Sequence, residues 1–173
     1  MGRLGLRSYI RFGETRPQRE YQLLEQARSL GVNAPEPLVY IFTRGLLYQG
    51  WLVTREIPEV VSLSELSSLD ESRARKALKA CLEQIFLLIR AGIFHVDLHP
   101  GNVAVDLENR VFLLDFDKAR EFKGAKNRLR DAYLHRWRRA VLKHNLPDYL
   151  SEIVCLGLRQ SCEDCVDNAH ASA

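Results

Sequence analysis

Apolar positions along the chain fall into blocks with different periods. From Pro17 onward, Tyr21, Leu24, Ala27 and Arg28 recur at three- and four-residue steps. That spacing predicts a helix with proline in its first turn and Gly31 as its C-terminal stop. Asn33-Ala34-Pro35-Glu36-Pro37 reads as a proline-stiffened link. Leu38–Thr43 and Gly50–Arg55 are strand-like runs joined through Arg44-Gly45, which predicts a hairpin ended by Glu56-Ile57-Pro58. Ser62 stands three residues before Glu65, in capping-box spacing. The longest helical pattern runs from Asp70 to Ala91. Ala74, Leu78, Cys81, Leu82, Ile85, Phe86 and Ile89 share one face, charged residues fill the other, and Gly92 stops it.

Beyond Gly92 the blocks shorten. Ile93–Pro100 is a loop dense in His and Asp. Asn102–Asp106 and Val111–Leu114 predict a short hairpin about the turn Leu107–Arg110, with the second strand ending at Asp115. After Lys118 the chain reads mostly as helix, with Leu129, Tyr133, Trp137 and Val141 on one side and Pro147 as a break. A final helix is expected from Asp148 to Arg159, then a polar tail after Ser161.

The apolar content, 46% of 173 residues, is that of a globular chain with a core. Net charge is +3, but it is uneven: from Lys118 to Lys143 ten Lys or Arg face only Glu121 and Asp131. A basic block on an otherwise acidic chain predicts an anionic partner on one side. No nucleic-acid motif accompanies the block, so nucleic acid is not expected. The opening residues lack the apolar core of a secretory signal, and no stretch approaches the roughly 18 apolar residues of a membrane span. A reduced, cytoplasmic setting is expected. Of four cysteines, Cys81 fits the core face of its helix. Cys162 and Cys165 form a C-x-x-C with only Cys155 and His170 nearby. A structural zinc takes about four ligands, and the pair is read as part of the tail.

The segment His95-Val96-Asp97-Leu98-His99-Pro100-Gly101-Asn102 holds the densest chemistry. Asp97 and Asn102 lie five apart across a Pro-Gly turn, and a short apolar strand then delivers Asp115-Phe116-Asp117. Two carboxylates and an amide on loop and strand ends can converge on a divalent cation such as Mg²⁺, which takes hard oxygen ligands and substrate phosphates. The order His-x-Asp, Asn five after the Asp, then a strand ending in Asp-Phe, is the spacing of a protein-kinase catalytic loop and metal strand.

In these residues the chain resembles the bacterial lipopolysaccharide core kinases, of the 3-deoxy-D-manno-octulosonic acid kinase and heptose kinase type. The likeness spans roughly Pro17 to Lys143. It includes Arg19-Glu20-Tyr21, the Val32–Pro37 link, Leu52–Ile57 and Val111–Arg120, with Asp117 where most protein kinases have glycine. The resemblance implies an α+β, protein-kinase-like fold. Residues 1–57 would be an amino-terminal lobe reduced to a helix and a small antiparallel sheet. Residues 58–160 would be a mostly helical carboxy-terminal lobe, and 161–173 the tail. It implies an ATP- and Mg²⁺-dependent kinase acting on a sugar hydroxyl of a lipid-linked, phosphorylated inner core. Asp97 would be the base, braced by His95. Asn102 and Asp115 would hold the metal, Glu20 would pair the phosphate-binding cation, and the backbone at Arg55, Glu56 and Ile57 would meet adenine. Arg130, Arg136, Arg138, Arg139 and Lys143 would face anionic headgroups of the inner membrane.

One departure is plain: residues 1–19 contain neither lysine nor a Gly-rich phosphate loop. Arg7, Arg11 and Arg16 are the cations available to replace the lysine, although a guanidinium is not an ammonium. Two alternatives stay open. Leu98-His99-Pro100-Gly101-Asn102 also resembles aminoglycoside and choline kinases. A kinase-fold binding module without catalysis would need no Gly-rich loop.

Overall fold

The structure, a computed structural model, describes residues 9–10 and 13–160. Arg7, Arg11 and the tail with Cys162 and Cys165 lie outside the described residues. The architecture is mixed: helices pack around short antiparallel sheets. Helix α1 (Arg16–Ser29) has proline in its first turn, as expected, and buries Leu23, Leu24 and Ala27. It lies against a two-stranded sheet of β2 (Pro37–Phe42) and β4 (Gly50–Thr54), whose register sets Phe42 opposite Gly50. Gly50 is required here, because a Cβ on it would sit 2.6 Å from Pro17 Cγ. Two short strands escaped the pattern: β1 (Tyr9–Ile10) pairs with β3 (Leu47–Tyr48), which lies inside the expected turn.

A linker from Arg55 leads to β5 (Val61–Ser62) and α2 (Leu63–Leu69). Ser62 caps α2 by accepting the Glu65 N–H at 3.2 Å, as its spacing predicts. The central helix α3 (Glu71–Ala91) begins on the Asp70 cap, 2.9 Å from the Arg73 N–H, and ends on Gly92 at φ +69°. Its buried stripe of Ala74, Leu78, Cys81, Leu82, Ile85 and Ile89 is the middle of the core. Burial pushes the Cys81 thiol up to about 12, so it stays protonated.

The hairpin of β7 (Val103–Val105) and β8 (Val111–Leu113) forms as expected, and β5 extends it to three strands. Asn102 falls in a 3₁₀ turn, Pro100–Asn102, rather than in the strand. Helix after Lys118 is corrected: α4 starts only at Lys126 and runs to Lys143. Before it, β9 (Arg120–Glu121) pairs with β6 (Ile93–Phe94), and Phe122 N–H bonds the Gly92 carbonyl at 2.7 Å. The segment stays extended because the backbone at the end of α3 needs these partners. Helix α5 (Tyr149–Gln160) closes the core, with the Trp137 indole donating to the Leu150 carbonyl at 2.9 Å. No helix among the described residues is long and apolar enough to cross a membrane.

Candidate active site

The loop from β6 to β7 is built around one buried imidazole. His95 has no exposed surface, and its Nε2–H donates to the Leu114 carbonyl at 2.8 Å. Its ring meets the Phe116 ring edge-on with centroids 4.6 Å apart. Burial pushes its pKa down, only partly offset by the Leu114 bond, so the ring is neutral at pH 7 and acts as a fixed strut. The Tyr133 hydroxyl, from α4, accepts the His95 backbone N–H.

Asn102 ties the loop to the strands. Its side-chain amide donates to the Asp97 carbonyl at 3.0 Å, and its own carbonyl accepts the Leu114 N–H at 2.9 Å. Asp97, Asn102 and the residue before Asp115 therefore share one hydrogen-bonded frame. Asp115 follows at φ +63°, a left-handed turn that Asp and Asn tolerate better than most residues. With the Asn102 NH₂ spent on Asp97, its Oδ1 is the donor left for a cation. The Asp115 carboxylate, on an exposed residue, supplies another. This pair of hard oxygens fits Mg²⁺, which commonly takes few protein ligands beside phosphates. Among the described residues no three His, Cys, Asp or Glu gather to hold a metal unaided.

Glu20 joins this group from α1. Burial first, then the neighbouring charges of Asp117 and Asp115, pushes its pKa up to about 7, and Arg16 offsets part of that. Arg16 also forms an ion pair with Asp117. Of the three arginines considered as stand-ins for lysine, Arg16 thus lies among the site carboxylates.

The structure places the Arg55, Glu56 and Ile57 side chains elsewhere. They line a surface pocket with Glu36, Pro58, Asp106, Arg110 and Phe112, and none of Asp97, Asn102 or Asp115 is in its wall. Arg55 is spent on Glu36, with Nε 2.6 Å from Oε2. Their link to the site runs along the chain to β5, where Ser62 pairs with Ala104.

Two side chains were missed as site residues. Lys118 Nζ and Arg136 Nη2 each lie 2.6 Å from an Asp97 carboxylate oxygen. The Lys118 hydrogen bond, followed by the charges of Lys118 and Arg136, holds the Asp97 carboxyl below its ordinary value, against the opposing effect of burial. Arg136 is thereby withdrawn from the expected headgroup face. Arg130 is also mostly covered, at 21% exposure, while Arg138, Arg139 and Lys143 are exposed. Sequence held one signal: Arg136 follows Tyr133 by three positions and so shares its inward helix face.

Comparison with known proteins places this geometry. A protein of Vibrio vulnificus named 3-deoxy-D-manno-octulosonic acid kinase is 33% identical over 105 residues, covering 60% of this chain and 44% of the relative. The Vibrio parahaemolyticus protein of that name is 29% identical over 171 residues, covering 94% of this chain and 70% of its own length. Against the first of these, the chain spans less than half of the relative's length. Among solved structures, the bifunctional kinase-methyltransferase WbdD aligns with a TM-score of 0.47 at 23% identity, over 69% of this chain and 27% of that one. The model of the lipopolysaccharide kinase (Kdo/WaaP) family matches residues 5–151. A match across the helix of Glu20, the Asp97 loop, the Asp115 strand and all of α4 leaves one assignment: the chain belongs to the lipopolysaccharide kinase (Kdo/WaaP) family.

Proposed function

We propose that this chain transfers the γ-phosphoryl group of ATP to a hydroxyl of a lipopolysaccharide inner-core sugar. The observation that supports it most is the frame in which Asn102 bonds the Asp97 carbonyl and Leu114, fixing Asp97 beside the turn of Asp115. In this reading Asp97 orients the acceptor hydroxyl and takes its proton. Asn102 Oδ1 and the Asp115 carboxylate hold Mg²⁺, which when bound neutralises phosphate charge. His95 braces the loop as a neutral ring, its pKa pushed down by burial. Glu20 and Arg16 form the carboxylate–cation pair over the phosphates, and the Arg55–Ile57 backbone lies along adenine. Residues 1–57 and 58–160 then act as the two lobes around the nucleotide.

The curated relatives are named for 3-deoxy-D-manno-octulosonic acid, and we take the acceptor to be a sugar of that class, linked to lipid. A lipid-linked acceptor brings the protein to a membrane surface. The exposed face of α4, with Arg138, Arg139, Lys143 and Leu142, suits that contact. The test is calorimetric titration of Mg²⁺·ATP into the chain, followed by phosphoryl transfer to the sugar acid. Micromolar binding that is lost in Asp115→Ala is expected, with transfer lost in Asp97→Ala. Binding unchanged in Asp115→Ala would refute the metal assignment, and full turnover in Asp97→Ala would refute the base.

A further inference from the structure

A carboxylate that is to accept a proton from a hydroxyl needs an oxygen to offer. Asp97 has both engaged: Oδ2 accepts from Lys118 Nζ and Oδ1 from Arg136 Nη2, each at 2.6 Å. Both cations come from outside the loop that bears Asp97. Lys118 stands just beyond the Asp115 turn, and Arg136 comes from the middle of α4, 39 residues away. Two cations thus share one carboxylate, and Lys118 also feels the charges of Asp115 and Asp117.

Arg136 is also incompletely used. Its Nε is buried and has no hydrogen-bond partner among the described residues. A guanidinium binds carboxylate or phosphate best through two parallel N–H groups, and a buried donor left unpaired is costly. Lys118 is 59% exposed and can follow a moving anion at little cost. The pair is charged and positioned for a second oxyanion.

We propose that Lys118 and Arg136 form an oxyanion clamp for the acidic group of the phosphoryl acceptor, and that this group releases Asp97 by taking over its two cations. The proposal rests on the phosphotransfer reading above. Exchange of one oxyanion for another conserves the ion pairs, so an acidic acceptor frees the base at small net cost. A neutral acceptor offers the two cations nothing in place of Asp97, which stays engaged. Discrimination then arises because only an acidic acceptor can replace Asp97 on its two cations and free it as the base. A carboxylate or a phosphate ester on the acceptor has the required chemistry. The other source of an oxyanion is the transferred phosphoryl of the nucleotide, and the experiment separates the two.

The experiment titrates 3-deoxy-D-manno-octulosonic acid and its carboxamide into the full chain, as wild type, Lys118→Met and Arg136→Gln. Mg²⁺·ATP affinity and phosphoryl transfer to both sugars are measured in parallel. Wild type is expected to bind the acid about 10- to 100-fold more tightly than the carboxamide, the range of a charge-assisted hydrogen bond. Each variant is expected to lose that preference while Mg²⁺·ATP affinity stays within about twofold. Lys118→Met alters an exposed side chain and decides the matter if Arg136→Gln does not fold. No acid preference in wild type, or preference kept in the variants, overturns the clamp. Loss of Mg²⁺·ATP affinity with acid preference intact also overturns it and assigns the cations to the nucleotide. Selective binding of the acid with no transfer leaves the clamp standing and refutes the phosphotransfer reading. Equal transfer to both sugars refutes the clamp alone.

Discussion

The Tyr133 hydroxyl accepts the backbone N–H of His95 at 2.9 Å and donates to the Ile93 carbonyl at 2.8 Å. One phenol from α4 thus satisfies both a donor and an acceptor at the entrance to the Asp97 loop. Tyr133 is buried, and burial pushes its own pKa up. Tyr133→Phe removes the oxygen and leaves two backbone groups unpaired in the core. Denaturant unfolding should show a loss of about 1–3 kcal/mol.

Asp97→Asn keeps the shape of the side chain and removes its ability to take a proton. Phosphoryl transfer should fall by about 10²- to 10⁴-fold, the usual range for general-base loss. Far-ultraviolet circular dichroism should be unchanged. Turnover of the variant near that of wild type would remove Asp97 from the chemistry.

Asp115 sits at φ +63°, so its two simplest substitutions test different things. Asp115→Asn tolerates the left-handed backbone and removes only charge; Asp115→Ala adds strain of about 1 kcal/mol or more. Mg²⁺·ATP titration should show at least about tenfold weaker binding in both. Only Asp115→Ala should also lower the melting temperature clearly.

Glu20 carries a pH signature. In the folded chain it holds its proton up to about pH 7, against an ordinary value of 4.5. Between those values the folded state binds more protons than the unfolded state, so stability falls as pH rises and the loss is complete above about pH 7. Glu20→Gln should therefore be more stable than wild type at pH 8, by on the order of 2 kcal/mol, and indistinguishable from it at pH 4. Thermal melts across that range test the sign. Equal melting temperatures at pH 8 would mean that burial and the neighbouring acids do not act on Glu20 as described.

The elements that were legible in the sequence are those whose determinants are local. Helix α3 announces itself through an apolar stripe, an Asp cap and a Gly stop, and it forms within one residue of the expected bounds. The spacing of His95, Asp97, Asn102 and Asp115 fixes a loop and a hairpin because each partner lies within a few residues of a turn. What escaped depends on distant partners. Strands β6 and β9 have two residues each and exist only by pairing with one another, so neither has a period to detect. Arg136 reads as one more arginine on a basic helix until α4 is laid against the Asp97 loop. Glu20 is an ordinary surface-type residue in its own helix, and it is burial in the folded chain, then the charges of Asp117 and Asp115, that raises its pKa.

Strand β8 is held from behind by a bond that no side chain makes: the Leu113 N–H donates to the Asn33 carbonyl at 2.9 Å. Asn33 belongs to the link that follows α1, so the strand leading to Asp115 and the helix bearing Glu20 are fastened through the main chain. Such a fastening is blind to residue identity. The bond itself needs only an N–H at position 113 and a carbonyl at position 33, while the buried place of residue 113 asks for an apolar side chain and the Asn33 N–H, bonded to Gln84, argues against proline there. Descendants of this sequence could replace exposed Asn33 many times over, and Leu113 by another apolar residue that fits its buried place, and still inherit the same spacing between the two acids.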